Sequence, residues 1–144
     1  MTNKHSSRRQ PIASRSARSR RGAVAVEFAL TAGIAIAFFF ASFEFCRVAM
    51  IRHTVDNAVY EAARTGIVPG ATSNEVRAKA TEILSTIGIT NANIKVNPTN
   101  ITSNSANLTV DITVPIEKNA FGASLFFKGK NVQRALKMSR ETAQ

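Results

Sequence analysis

The stretch Arg20-Arg21-Gly22-Ala23-Val24-Ala25-Val26-Glu27-Phe28, with the apolar run that follows it to Phe43, decides how the chain is built. From Ala23 to Phe43 there are 21 residues and one charge, Glu27. As a helix rising about 1.5 Å per residue, such a run is about 31 Å long, enough to cross a bilayer. Upstream of Gly22 the chain is basic, polar and rich in Ser and Arg. Downstream of Phe43 it reads as an ordinary amphipathic sequence.

The net charge of +10 is unevenly spread. Lys4, Arg8, Arg9, Arg15, Arg18, Arg20 and Arg21 place +7 before Gly22, with no acid among them. A cluster of this kind beside an apolar span holds its end in the cytoplasm and attracts anionic lipid. No nucleic acid is expected as a partner, since no aromatic residues interleave the cluster and no binding motif accompanies it, and a membrane-tethered nucleic-acid binder is the weakest of the alternatives. A secretory signal would have a shorter apolar core and a small-residue cleavage site after it, and Ala41-Ser42-Phe43 offers none. Ser19-Arg20-Arg21 is only weakly like a twin-arginine signal.

Glu27 is the anomaly in the run. A carboxylate within an apolar span costs at least a few kcal/mol and usually has a partner or a function. One reading is interfacial, with Glu27 snorkelling to the headgroups from near the start of the run. The other comes from spacing: cleavage after Gly22 makes Ala23 the new amino terminus and Glu27 the fifth mature residue.

That arrangement resembles a type IV prepilin, in which a basic leader ends in Gly and a membrane peptidase cuts behind it. The aromatic Phe28 after Glu27 is similar to the Tad (Flp) branch. Arg21 to Leu30, followed by Phe43-Glu44-Phe45-Cys46-Arg47 and Ala62-Ala63-Arg64, resembles the TadE-like pseudopilins of that system. One departure is the lack of a mid-span Pro at Thr31-Ala32-Gly33. The resemblance implies a minor pseudopilin of a Tad-type pilus or secretion machine, working in secretion or adhesion. It would be single-pass in the bacterial inner membrane, with its N-terminus cytoplasmic and its C-terminal domain exported. Implied partners are a prepilin peptidase acting at Gly22 and Ala23, with Arg20 and Arg21 in the leader. Other pilin subunits, the Tad inner-membrane platform and membrane lipid complete the set. Glu27 and Phe28 would serve recognition and assembly. The competing reading is an uncleaved, single-span anchored protein whose exported domain binds a ligand or envelope partner.

The expected segments are a leader over 1–22, a membrane and assembly helix over 23–43, a stem helix over 44–66 and an exported domain over 67–144. Met1–Arg21 cannot bury apolar surface and is expected to be disordered. Helix is expected from Gly22 or Ala23 for about 40 residues, half of it in lipid, with Gly66 and then Pro69-Gly70 stopping it. Phe45, Val48, Val55, Val59 and Ala62 mark its buried stripe, with Arg52 interrupting. Glu44/Arg47, Arg52/Asp56 and Glu61/Arg64 form opposite-charge pairs at i+3 or i+4, each worth a few tenths of a kcal/mol. Cys46, the single cysteine, has no intramolecular partner and reads as a small buried residue in preference to an intermolecular bridge.

Thr72-Ser73-Asn74-Glu75 has the capping-box pattern that opens a helix. Val76, Ala80, Ile83, Leu84 and Ile87 mark its core face, and Gly88 is its C-terminal cap. Strands follow at 92–96, at 108–116 with strict alternation, and at 132–139 with Arg134 breaking the apolar face. Pro115 implies an edge or a strand end. Phe121–Phe127 reads as a loop or short helix whose Phe residues pack on the sheet or a partner. The fold class is therefore α+β: a long N-terminal helix plus a second helix on about three antiparallel strands, the lollipop of a pilin-like subunit.

No catalytic constellation is present in the sequence. His5 lies in the leader, His53 stands alone on the stem, and Asp111 is isolated on a strand. No metal or cofactor motif occurs, and the chain reads as a non-enzyme. Asn100-Ile101-Thr102 and Asn107-Leu108-Thr109 match a glycosylation pattern that chance also produces.

Overall fold

The computed structural model describes residues 15–102, 105–120, 124 and 126–140, with side chains described from Arg21 onward. Helix α1 runs Arg15–Ile67, 53 residues. The chain divides into two compact units, Met1–Phe40 and Ala41–Gln144.

In the first unit the helix begins at Arg15, upstream of the expected start at Gly22. Between Arg15 and Arg21 the sequence holds Arg, Ser and Ala with no Gly or Pro, and Arg and Ala are strong helix formers. Gly22, which costs about 1 kcal/mol relative to Ala inside a helix, does not interrupt it. Of the segment expected to be disordered, residues 1–14 lie outside the described residues, and 15–21 are helical. Val24, Val26, Phe28, Leu30, Ile34, Ile36, Phe39 and Phe40 are all more than half exposed. This is the one helix among the described residues long and apolar enough to cross a membrane.

In the second unit α1 acquires an inside and an outside. Val48, Ile51, Val55, Ala58, Val59, Ala62 and Ala63 are buried at the three-and-four spacing of one helix face. Phe45, expected on that stripe, is instead 57% exposed. Cys46 is exposed rather than buried. The helix passes through Gly66 and ends at Ile67, so the stop signals are those of the following turn. There Ala71 N donates to the Val68 carbonyl at 3.1 Å, and Gly70 takes φ +85°, a conformation open to Gly at no steric cost.

Helix α2 runs Ser73–Ser85. Thr72 caps it reciprocally: Glu75 N donates to Thr72 Oγ1 at 3.3 Å, and Thr72 N to Glu75 Oε2 at 2.9 Å. Val76, Ala80 and Leu84 are buried, with Ile83 and Ile87 packed beside them. Past its end Gly88 sits at φ +73°, and Ile89 N reaches back to the Leu84 carbonyl at 3.1 Å.

Strands β1 (Asn93–Asn97), β2 (Asn107–Pro115) and β3 (Asn131–Ser139) form one antiparallel sheet in the order β1-β2-β3. β2 is central, so Pro115 marks a strand end and not an edge. Leu108, Val110, Ile112 and Val114 are completely buried on its inner face. Register aligns Val96, Val110 and Leu136 in one row, and Ile94, Ile112 and Arg134 in the next. Each fully buried Leu or Ile contributes about 1.5–3 kcal/mol, so this α+β core outweighs any set of surface ion pairs.

Candidate functional site

The residues singled out for processing all lie on α1. Arg20, Arg21, Gly22, Ala23, Glu27 and Phe28 are consecutive helical positions or nearly so. Arg21, Gly22, Ala23, Glu27 and Phe28 are exposed, Phe28 by 74%. A Cβ built on Gly22 would meet nothing within 4 Å, so space within this chain does not demand glycine there. Ala23, Glu27 and Thr31 stand four apart and share one side of the helix. Thr31 Oγ1 donates to the Glu27 carbonyl at 2.8 Å, satisfying its hydroxyl inside an apolar run.

A second group, just past the run, is built by contacts far apart in sequence. The Glu44 carboxylate accepts from Ser124 Oγ at 2.6 Å and from the Phe126 and Phe127 amides at 3.1 Å. Phe45 meets Phe127 edge to face at a centroid distance of 5.1 Å, and Phe126 at 6.4 Å. The turn that follows has Lys130 N donating to the Phe127 carbonyl and Gly129 at φ +68°. Gly129 N also donates to Glu117 Oε2 at 3.2 Å. Of the segment expected as a Phe-bearing loop or short helix, residues 121–123 and 125 lie outside the described residues, and 126–129 form a bend and turn.

One turn along α1, Arg47 is 5% exposed. Its Nε donates to the Asn119 carbonyl at 3.1 Å and its Nη1 to the Ile87 carbonyl at 2.9 Å. Burial lowers its pKa from the ordinary arginine value by desolvation. Asn119 is itself buried and satisfied on both sides of its amide. Its Nδ2 donates to the Asn91 and Pro115 carbonyls, and its Oδ1 accepts from the Thr90 and Asn91 amides. The guanidinium and this amide thus join α1, the end of α2's loop and the end of β2.

The charge pairs along the stem are rearranged relative to expectation. Asp56 bonds Arg134 of β3 at 2.6 Å, rather than Arg52 one turn away. Arg134 occupies an inner-face register position beside Ile112, and Asp56 gives its charge a partner there. Asp111 is not isolated: Gln133 Nε2 donates to its Oδ2 at 2.9 Å. Arg52, His53, Asp56 and Arg134 line an open groove together with Phe45 and Phe127. The Glu44 and Arg47 sites were missed from sequence, where the two read as partners of each other. Their signal is a charge set among Phe43, Phe45 and Val48, which asks for a buried polar partner.

Among proteins of known family, the model of the TadE-like proteins matches residues 22–64. The match opens at Gly22 and takes in Glu27, Phe28, Glu44 and Arg47. No curated protein and no solved structure matches the chain.

Proposed function

Taking residues 22–64 as the TadE-like segment they match, we propose that this Tad-pilus-associated, single-span protein is a minor pseudopilin-like structural subunit. It inserts with the basic leader in the cytoplasm and its sheet domain exported, in the inner membrane of a bacterium. A prepilin peptidase cuts it after Gly22. It then packs with other pilin subunits and the Tad platform through the cleaved helix.

The observation that carries this reading is the uncovered apolar surface from Val24 to Phe40, in the segment the family match opens. A surface of this size asks for lipid or other helices. After the cut, Glu27 stands one helical turn from the Ala23 ammonium and accepts it, from its own or a neighbouring subunit. An unmatched carboxylate in an apolar bundle is penalised, so the pair sets axial register. The Gly22–Ala23 bond lies within α1, so cleavage needs a local opening of the helix. Glycine lowers that opening cost by about 1 kcal/mol and lets the enzyme approach the backbone closely.

The continuity of helix through Gly22 favours a second reading, a permanent anchor whose exported domain binds an envelope partner. Amino-terminal sequencing and intact mass of protein isolated from cells separate the two. A chain beginning at Ala23 supports the pseudopilin; one retaining the leader excludes it.

A further inference from the structure

We infer that Phe126, with Lys128 and Lys130, forms a phospholipid-interface anchor on the folded domain, a site for lipid headgroups and upper acyl chains. The inference rests on residues 23–43 spanning a membrane. Phe45 follows the last residue of that run by two helical positions, a rise of about 3 Å. The headgroup layer on each side of a bilayer is about 5–7 Å thick, so Phe45 lies within it. Phe126 is held against Phe45 at a centroid distance of 6.4 Å.

Its placement is enforced rather than incidental. The Glu44 carboxylate clamps the Phe126 and Phe127 amides on one side, and Glu117 holds Gly129 on the other. Phe127 fills the space against Phe45 and is partly buried. Phe126 is left 57% exposed, although it is large and apolar. Lys128 and Lys130 are exposed in the same short turn. An exposed apolar ring followed by two ammonium groups in the same turn suits the boundary where acyl chains meet anionic headgroups. The domain is thereby fixed to the membrane at a second point, beside the end of the apolar run.

The chain contains no tryptophan, so a single substitution is its own reporter. The full chain is purified and reconstituted into phosphatidylcholine–phosphatidylglycerol vesicles whose acyl chains carry bromine near the headgroup or near the chain end. Three variants are compared: Phe126→Trp, Phe28→Trp within the span, and Tyr60→Trp on the stem, about 22 Å beyond Phe45. Quenching of Phe126→Trp by shallow bromine, roughly twofold or more above Tyr60→Trp, is the expected result. Lys128→Gln with Lys130→Gln should lower that quenching in anionic vesicles. An unquenched Phe126→Trp beside a quenched Phe28→Trp overturns the anchor and leaves the membrane reading intact. Failure of both overturns the two together. A blue shift of Phe126→Trp that grows with protein-to-lipid ratio but ignores bromine assigns the turn to a second copy of the chain and likewise overturns the anchor.

Discussion

Gly66 of α1 lies directly against Leu108 of β2, so close that a Cβ on Gly66 would overlap Leu108 Cδ2 and stand 2.8 Å from Val76 Cγ2. Leu108 and Val76 are both fully buried, so neither can swing aside into solvent. Helix propensity and packing therefore oppose each other at this position. Gly66→Ala gains about 1 kcal/mol in propensity but forces overpacking worth about 1–3 kcal/mol. The expected outcome is a lower urea midpoint for the purified protein, with Gly66→Val worse. Leu108→Ala in the Gly66→Ala background should restore part of the loss relative to adding the two single effects. A midpoint raised by Gly66→Ala would refute the close packing.

Arg47 and Asn119 should behave as one unit. Arg47→Met removes the donors to two carbonyls in a buried site, and each orphaned acceptor costs about 1–3 kcal/mol. Arg47→Lys should recover only part, because one ammonium does not copy a planar fork. A double-mutant cycle of Arg47→Met with Asn119→Ala, read by urea denaturation, should show strong non-additivity. Additive effects would mean the two act independently.

Glu44 holds a turn more than it holds the core. Glu44→Ala should leave the far-ultraviolet circular dichroism unchanged while raising hydrogen exchange at the Phe126 and Phe127 amides, which donate to it. Loss of charge-assisted bonds worth about 1.5–3 kcal/mol corresponds to faster exchange by roughly one to two orders of magnitude. Unchanged exchange at both amides would show that the clamp is dispensable.

On the proposed pseudopilin reading, Glu27→Gln separates processing from assembly. Removing the charge should leave cleavage after Gly22 nearly intact, since the scissile residues are unaltered. Assembly should fall, because the Ala23 ammonium loses its partner inside an apolar bundle, a loss on the order of 1–3 kcal/mol per contact. Cleaved protein in the membrane is compared with protein in the sheared extracellular fraction. Unchanged assembly would return Glu27 to an interfacial role.

Gly22→Val should block the cut, because a branched Cβ crowds the backbone the peptidase must approach. Since α1 leaves open space at Gly22, the substitution should not disturb folding. Equal mature mass and yield for wild type and variant would rule out cleavage at this bond.

What the sequence made legible was local or periodic. The capping box at Thr72 and Glu75 is a four-residue pattern, and it forms as read. The alternation from Leu108 to Val114 announces a half-buried strand because side chains point to opposite faces with period two. The helix end was legible to within one residue of Gly66, but the close packing of Gly66 on Leu108 was not, because sequence cannot tell a glycine required by neighbours from one required by backbone angle. The long-range bonds of Glu44 and Arg47 were not legible, because i+3 spacing points only to a local pair. Two of the partners seen in the fold, Ser124 of Glu44 and Asn119 of Arg47, lie more than 70 positions away and depend on how the turn after β2 folds back. The α1 start was misplaced because composition described the leader's polarity but not its helix-forming content.

The order of the sheet also has a consequence in time. β2 sits between β1 and β3, and β3 pairs with it from Asn131 to Ser139. A growing chain that has produced β2 therefore carries a bare strand edge until β3 has also been made. Among the described elements, the apolar helix is made before the closing strand. A protein shortened before Asn131 would reach the membrane but leave β2 without a neighbour on one side, marking it for proteolysis or mispairing. β3 thus closes the edge of the sheet that β2 would otherwise leave open.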